Sequence, residues 1–325
     1  MHGMGETPPG EAGALAMPAD EVRALAERRA AARAERDFAT ADALRDAIGV
    51  AGWLVQDRPG GGYELTPKPP YPLLTSLAEL PDRSGEPALR RVTAALLVEG
   101  WPDDVRCCVD ALLEYGPDDL SVVILEADDV DGAGGVVHDL AVANAGRIEE
   151  WHLAGPVGWG AAQRALLRAS AGENHVIMDL STVLDGDAIT PLLEAVGEPR
   201  VIGAGWRGAN VDVADAWRSV QDAGPGEVDV LLGYLMAVRR DAALAAGGPD
   251  PKARYYRNAD LEFSLALRAT GGRLVVPPGD LPCHQGRHHG YHDVDPDYRD
   301  RESRRNYDRL LRRFRGRADI LAPRR

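Results

Sequence analysis

Polar and apolar positions along this 325-residue chain fall into two regimes. From Glu21 the apolar positions recur at helical spacing. Val22, Leu25, Ala26 and Ala30 define one moderately amphipathic helix, and Phe38, Ala41, Leu44, Ala47 and Ile48 define a second, with Asp37 placed to cap its first turn. Gly49 and Gly52 end that helix, Trp53 to Asp57 is short and extended, and Gly60-Gly61-Gly62 predicts a turn. The stretch from Thr66 to Pro87 is rich in Pro and poor in periodicity, so it predicts a linker. Residues 1–18, rich in Gly, Pro and Ala, are expected to be disordered.

Beyond this stretch strands and helices alternate. Arg91 to Val98 is a continuous apolar run of strand length, Val105 to Tyr115 has helical spacing, and Leu120 to Leu125 reads as a second buried strand. Helical sequence over 136–145 precedes Ile148 to Leu153, that over 160–171 precedes His175 to Met178, and that over 188–196 precedes Val201 to Gly205. The rhythm predicts an α/β fold with a mostly parallel sheet between helices, and such sheets bind ligands at the carboxyl ends of their strands. The chain therefore divides into a disordered start (1–18), a helical hairpin module (19–66), a linker (67–89), an α/β domain (90–298) and a basic C-terminal helix or tail (299–325).

Composition narrows the class. A 45% hydrophobic and 27% charged chain is ordinary for a folded globular protein. No apolar run approaches the ~20 residues of a membrane helix, and the first residues lack the basic stretch and apolar core of a signal peptide, so a cytoplasmic location is expected. Cys107, Cys108 and Cys283 give neither a disulfide framework nor a paired-cysteine metal knuckle. The net charge of −14 argues against a nucleic-acid coat. From Asp297 to Arg325, however, 11 Arg stand against 5 Asp or Glu, a local +6 that suits either phosphate contact or the solvated face of a terminal helix.

Four clusters carry chemistry. The acidic stretch Glu126 to Asp131 follows the second strand, where a carboxylate accepts hydrogen bonds from a nucleobase or ribose, or simply shapes a solvated turn. Asp179 ends the strand His175 to Met178, where it either coordinates a divalent cation against a diphosphate or caps the strand. Asp260 and Glu262 open a helix; the helix dipole favours both, and one of them would serve as general base. Finally, His284, His288, His289 and His292 put half of the eight histidines within nine residues, a pattern suited to metal or phosphate contact but not to a structural zinc site.

Taken in order over about residues 90–292, these segments resemble the family 2 glycosyltransferases of the GT-A fold. Val92 to Trp101, with Glu99, looks like the opening strand of the donor site. Val122 to Glu126 resembles the strand ending in a nucleotide-binding acid, with Glu126 where Asp is usual, and Asp131-Gly132 matches the Asp-Gly that follows. Gly158 to Arg164 resembles the Gly-rich helix start, and Met178 to Leu184 the Asp-x-Asp strand end, with Ser181 replacing the second acid. Asn258 to Phe263 resembles the Glu-Asp-x-Asp-Leu motif, with Ala259 replacing one acid.

The resemblance implies a GT-A-type nucleotide-sugar-binding domain that moves a sugar from a nucleoside-diphosphate donor to an acceptor hydroxyl with inversion. It puts Asp260 as catalytic base. Glu126, Asp131, Glu99 and Arg164 would contact the donor, and Asp179, Ser181 and His284 would hold Mg²⁺ or Mn²⁺, with Mn²⁺ favoured. Nucleotidyl transfer would need a Gly-rich loop with a Lys, and the chain has only Lys68 and Lys252.

A second resemblance covers about residues 21–66. Arg29 to Asp46 and Gly52 to Gly60 are similar to the C-terminal tail of cysteinyl-tRNA synthetases, without that enzyme's nucleotide signature or zinc ligands. The expectation is either a packing unit or an RNA contact. An RNA- or tRNA-associated protein with a catalytically degenerate GT-A-like domain is accordingly the second functional class.

Overall fold

A computed structural model describes residues 19–58 and 62–324, so the expected disorder of 1–18 and the start of the Gly60-Gly61-Gly62 turn lie outside the described residues. The chain forms two compact units that meet between Pro70 and Tyr71 in sequence. In the first, helices α1 (Asp20–Ala34) and α2 (Phe38–Val50) form the expected hairpin. The Asp37 side chain accepts from the Thr40 N–H at 3.1 Å, which satisfies one of the free donors at the start of α2. Strands β1 (Trp53–Asp57) and β2 (Tyr63–Pro67) pair antiparallel and complete the unit. Val22, Ala26, Ile48 and Val55 form its core, and the buried Arg29 grips both Asp57 oxygens at 2.7 and 3.1 Å.

The second unit begins where a linker was expected. Strand β3 (Leu73–Leu74) joins the edge of the main sheet, Ser76 and Glu79 form a reciprocal capping box, and Arg83 binds both Glu149 oxygens at 3.1 and 2.9 Å. A two-residue strand is too short to show periodicity, and Pro-rich sequence suits a sheet edge as well as a free linker.

From there strands and helices alternate as expected. They run β4 (Arg90–Val98), α3 (Pro102–Tyr115), β5 (Leu120–Ala127), α4 (Ala133–Ala143), β6 (Ile148–Leu153), α5 (Trp159–Ala169) and β7 (Gly172–Met178). Next come β8 (Thr182–Leu184), α6 (Ile189–Val196), β9 (Val201–Gly205), β10 (Gly208–Val211), β11 (Val220–Ala223), β12 (Gly226–Val228), β13 (Val230–Leu231), β14 (Leu235–Arg239) and α7 (Arg240–Ala245). The unit closes with α8 (Ala259–Arg268), β15 (Arg273–Val276), β16 (Cys283–Gln285), the single turn α9 (His289–His292) and α10 (Pro296–Phe314).

Nine strands make one sheet in the order β12-β15-β9-β14-β7-β4-β5-β6-β3. Five of its eight neighbouring pairs are parallel; β14 runs against both neighbours and β12 against β15. The continuous apolar run of β4 follows from burial on both faces. Val92, Ala94, Leu96 and Val98 pack under α3, α4 and α6, whereas Ala95 faces Ala162 and Leu166 of α5. Smaller sheets flank it, with β10 between β11 and β13, and β16 beside β8.

The basic C-terminal segment is largely built into this unit. Leu310, Phe314 and Ile320 enter a core with Leu261, Leu265 and Trp217, and Arg309 reaches the buried Glu262 at 2.7 Å. Arg304, Arg312 and Arg315 remain on the exposed side. No described helix is long and apolar enough to cross a membrane.

Because no core cluster of the second unit draws on residues before Leu74, a chain beginning at Tyr71 should fold by itself. A single cooperative melt for that truncation is the expected outcome, and insolubility would show that the first unit completes the fold.

Candidate functional site

Strands β4 and β7 pair in parallel, so their carboxyl ends lie side by side. Above them opens a cleft of about 610 Å³. Its floor comes from the end of β4 (Leu97, Glu99, Trp101), the start of α3 (Asp104) and the end of β7 (Met178, Asp179, Ser181). Its walls come from the turn before β14 (Gly233, Tyr234), the loop into α8 (Tyr256, Arg257, Asn258, Asp260) and the stretch Gln285 to His292.

Asp260 is fixed tightly. Its carboxylate accepts from the Gly233 N–H at 3.0 Å and from the Leu261 N–H at 2.9 Å. Burial pushes its pKa up to about 6, against the downward pull of these N–H groups and of the Arg257 charge. Glu262 faces elsewhere: it pairs with Arg309 at 2.7 Å and lies outside the cleft lining. The loop that carries Arg257 is held by α10, because the Asn306 amide donates to the Tyr255 and Arg257 carbonyls at 2.7 and 2.9 Å and the Asn258 amide donates to the Ser303 carbonyl.

Asp179 sits half-buried at the end of β7. One oxygen accepts the Ser181 N–H at 2.9 Å and the Ser181 hydroxyl; the other is 3.4 Å from Nε2 of His288. That His288 nitrogen is buried without a hydrogen-bond partner, and burial lowers the ring's pKa, which keeps the imidazole neutral. Neighbouring Glu99 keeps open surface, yet the protein around it and the Asp179 charge hold its carboxyl up at about 7.

Trp101 turns the chain from β4 into α3 in a left-handed conformation (φ 58°, ψ 65°), and its ring stacks on His289 with centroids 5.5 Å apart. A bulky residue pays of order 1–3 kcal/mol for that backbone, so the packing around it must hold the geometry.

The cleft thus unites Asp260, Asp179, Ser181 and Glu99. Four other candidates are placed elsewhere. Glu126 is fully buried, where it accepts from the Asp129 N–H and from Nδ1 of His152 at 3.1 Å, so its oxygens are spent inside the fold. Asp131 lies exposed on the turn beside Gly100, outside the cleft lining. Arg164 packs against Gly247 and Gly248. His284 binds Asp185 at 2.7 Å on β16, and it is His288 that meets Asp179. Among the described residues no group of three or more His, Cys, Asp or Glu side chains gathers as a metal site.

Sequence reasoning did not single out Trp101, Asp104, Tyr234 or Tyr256. Only Trp101 carried a signal, as an aromatic just past a strand end.

No family model matches the chain. The architecture is that of the GT-A fold. GalNAc-T7, solved with UDP, GalNAc and Mn²⁺, superposes with a TM-score of 0.53 at 13% identity over 69% of this chain and 48% of that one, about half its length. A mannosyltransferase from Pyrobaculum calidifontis, solved with GDP-Man and Mn²⁺, superposes with a TM-score of 0.51 at 16% identity over 75% of this chain and 79% of that one.

Curated proteins match over a short span, and two of them illustrate it. Cysteine–tRNA ligase of Opitutus terrae is 60% identical over 47 residues, 14% of this chain and 10% of the ligase. Cysteine–tRNA ligase 1 of Burkholderia lata is 52% identical over 42 residues, 13% of this chain and 9% of the ligase. The chain therefore spans about a tenth of these relatives' length.

Below the acidic turn, His152 is clamped between two carboxylates, Glu126 at 3.1 Å and Glu150 at 2.9 Å, with Tyr71 stacked on its ring at 3.6 Å. Burial lowers its pKa, but the two carboxylates outweigh burial and the net shift is upward from 6.5. A raised folded pKa means that the imidazolium's stabilisation is fully present below pH 6.5 and is lost as pH rises through the folded value. His152→Gln should cost about 1–3 kcal/mol at low pH, because one carboxylate loses its donor. Melting curves across pH 5.5–9 (about this range) check this; a wild-type advantage that grows with pH would refute it.

Proposed function

We propose that this protein is a glycosyltransferase, related to family 2, that moves a sugar from a nucleoside-diphosphate donor to an acceptor hydroxyl with inversion. The observation that carries the reading is the convergence of Asp179 and Asp260 on one cleft at the carboxyl edge of a GT-A sheet. The two structural neighbours solved with UDP or GDP-Man support a donor of that class.

Asp260 is the base. The acceptor hydroxyl gives its proton to the Asp260 carboxylate as its oxygen bonds to the anomeric carbon, and the bond from that carbon to the diphosphate breaks. The Gly233 and Leu261 N–H groups hold the carboxylate in one orientation, and a pKa near 6 leaves it ionised yet basic at neutral pH. Glu99 lines the same cleft, and in this reading it faces the donor. In this reading Asp131 and Arg164 have no direct donor contact, and Glu126 supports the end of β5 from within.

The unpartnered Nε2 of His288 beside the Asp179 carboxylate fits a divalent cation, the group implied by the Mn²⁺ of both neighbours. Bound there, a cation would neutralise charge on the diphosphate leaving group. Ser181 holds Asp179 in place through its hydroxyl and N–H. Imidazole is a softer ligand than carboxylate and favours Mn²⁺ over Mg²⁺.

A second reading, an RNA contact through residues 21–66, is favoured by the short identity to cysteine–tRNA ligases. Its signature is bulk tRNA retained by the full chain and lost on removal of that segment.

Asp260→Asn should lower kcat/KM about 100- to 10,000-fold while nucleotide binding stays nearly intact. Wild-type kcat/KM should fall as pH drops through about 6, because protonated Asp260 accepts nothing. Unchanged turnover in Asp260→Asn would remove it from the base role. For the cation, two protein ligands predict binding that depends on nucleotide, tighter in Ser181→Asp and weaker in His288→Ala. Calorimetric titration of Mn²⁺ checks this, and equal affinity in all three chains would place the metal elsewhere.

A further inference from the structure

Two guanidinium groups, Arg257 in the cleft lining and Arg207 behind its Tyr234 wall, have no use in the chemistry above. Arg257 lines the cleft, exposed, with its guanidinium carbon 5.4 Å from the centre of the Tyr291 ring, and close enough for its charge to act on Asp260. Arg207 lies outside the cleft lining, also exposed, over the Trp206 ring at 4.3 Å and 5.8 Å from the ring of Tyr234, which does line the cleft.

Both are held in place by the backbone. The Arg257 carbonyl accepts from Asn306, and the Arg207 carbonyl accepts at 3.0 Å from the N–H of Leu232, next to the Gly233 that orients Asp260. Among the described residues neither has a carboxylate within 4.0 Å. Other arginines with an aromatic neighbour are paired, Arg299 with Asp300, Arg301 with Glu302 and Arg313 with Glu262.

In a chain of net charge −14, two aromatic-backed cations without a carboxylate partner, one acting on Asp260 and one on Tyr234, stand out. An aromatic face keeps a guanidinium flat and leaves its N–H fork free, the geometry that suits a planar carboxylate or a phosphate. The base must touch the acceptor's hydroxyl, so a cation beside the base is within reach of the rest of the acceptor.

We infer that the acceptor is an oxyanion, a hydroxyl compound bearing a phosphate or carboxylate, held by Arg257 and Arg207 so that its hydroxyl faces Asp260. The inference rests on the glycosyltransferase reading and adds the acceptor's chemical class. The anionic group stays bound as a handle; only the hydroxyl proton moves, to Asp260, as the glycosidic bond forms and the nucleoside diphosphate leaves.

The test uses the full chain saturated with Mn²⁺ and whichever nucleoside diphosphate raises its melting temperature most. Glycerol 3-phosphate, glycerate and glycerol are then titrated calorimetrically. We expect the two anions to bind and glycerol not to, with affinity lowered at least about tenfold in Arg257→Ala and in Arg207→Ala, and weaker at higher salt. Tighter binding of glycerol 3-phosphate or of glycerate assigns the handle as phosphate or carboxylate. Failure of both anions to bind, equal binding of glycerol, or an Arg257→Ala chain that loses the nucleotide instead of the anion would overturn the inference and leave the donor reading standing. If no nucleoside diphosphate shifts the melt, the glycosyltransferase reading falls, and the inference falls with it.

Discussion

The parallel pairing of β4 with β7 is the constraint on which the rest of the second unit depends. Register pairs of this ladder, such as Val92 with Asn174 and Ala95 with Ile177, put the two strands at the centre of a nine-stranded sheet, buried on both faces. Each fully buried Leu, Ile or Val there contributes about 1.5–3 kcal/mol. A slip of one residue would turn that whole set to the wrong face. The same register brings the ends of the strands together, so Glu99 and Asp179 become neighbours as a by-product of core packing. β14 then runs antiparallel alongside β7, and the Asp179 N–H donates to the Tyr234 carbonyl at the start of this strand, which ties the two walls of the cleft.

The second wall is set by a charge problem. Helix α8 is buried along most of its length and carries two carboxylates in its first turn. A buried carboxylate without partners would cost several kcal/mol. The fold gives each a different answer. Glu262 receives a cation, Arg309, from α10. Asp260 receives only N–H groups, with Arg257 acting at longer range, so it keeps a raised pKa and an opening to the cleft. This division ties α10 to the cleft: its Arg309 neutralises Glu262, and its Asn306 fixes the loop beside Asp260.

Much of this was legible in the residues. The run Arg91 to Val98 could be little other than a strand covered on both faces, and Asp179 and Asp260 stand where a sheet edge and a helix start put them. The misplacements have local causes. Leu73–Leu74 is a strand only because β6 offers an edge, which no periodicity can reveal. His284 alternates outward on β16, opposite Val183, while His288 lies four residues on in a loop that folds back over Asp179. Spacing within the histidine cluster does not encode that fold-back. Glu126 reads as a surface acid until His152 and the Asp129 N–H are seen to use both of its oxygens.

Ser181 and Ala259, where the resembled motifs carry acids, would change what the proposed site must draw from its ligands. Identity of 13–16% to the structural neighbours shows the fold, and a fold by itself does not carry an activity. The argument for chemistry has to come from the side chains that remain. Where a second carboxylate would add a charged oxygen, the Ser181 hydroxyl instead donates a hydrogen bond to Asp179. Asp179 is therefore oriented before any ligand arrives, but one of its oxygens is already committed. With a neutral His288 as the other donor, the site offers a divalent cation one carboxylate and one imidazole, well short of the six oxygen or nitrogen atoms of a full octahedral shell. In the proposed reading, a diphosphate would supply the missing donors and the missing negative charge. On that reading such a site would be incomplete alone, and cation occupancy would depend on the presence of a donor rather than on the resting protein.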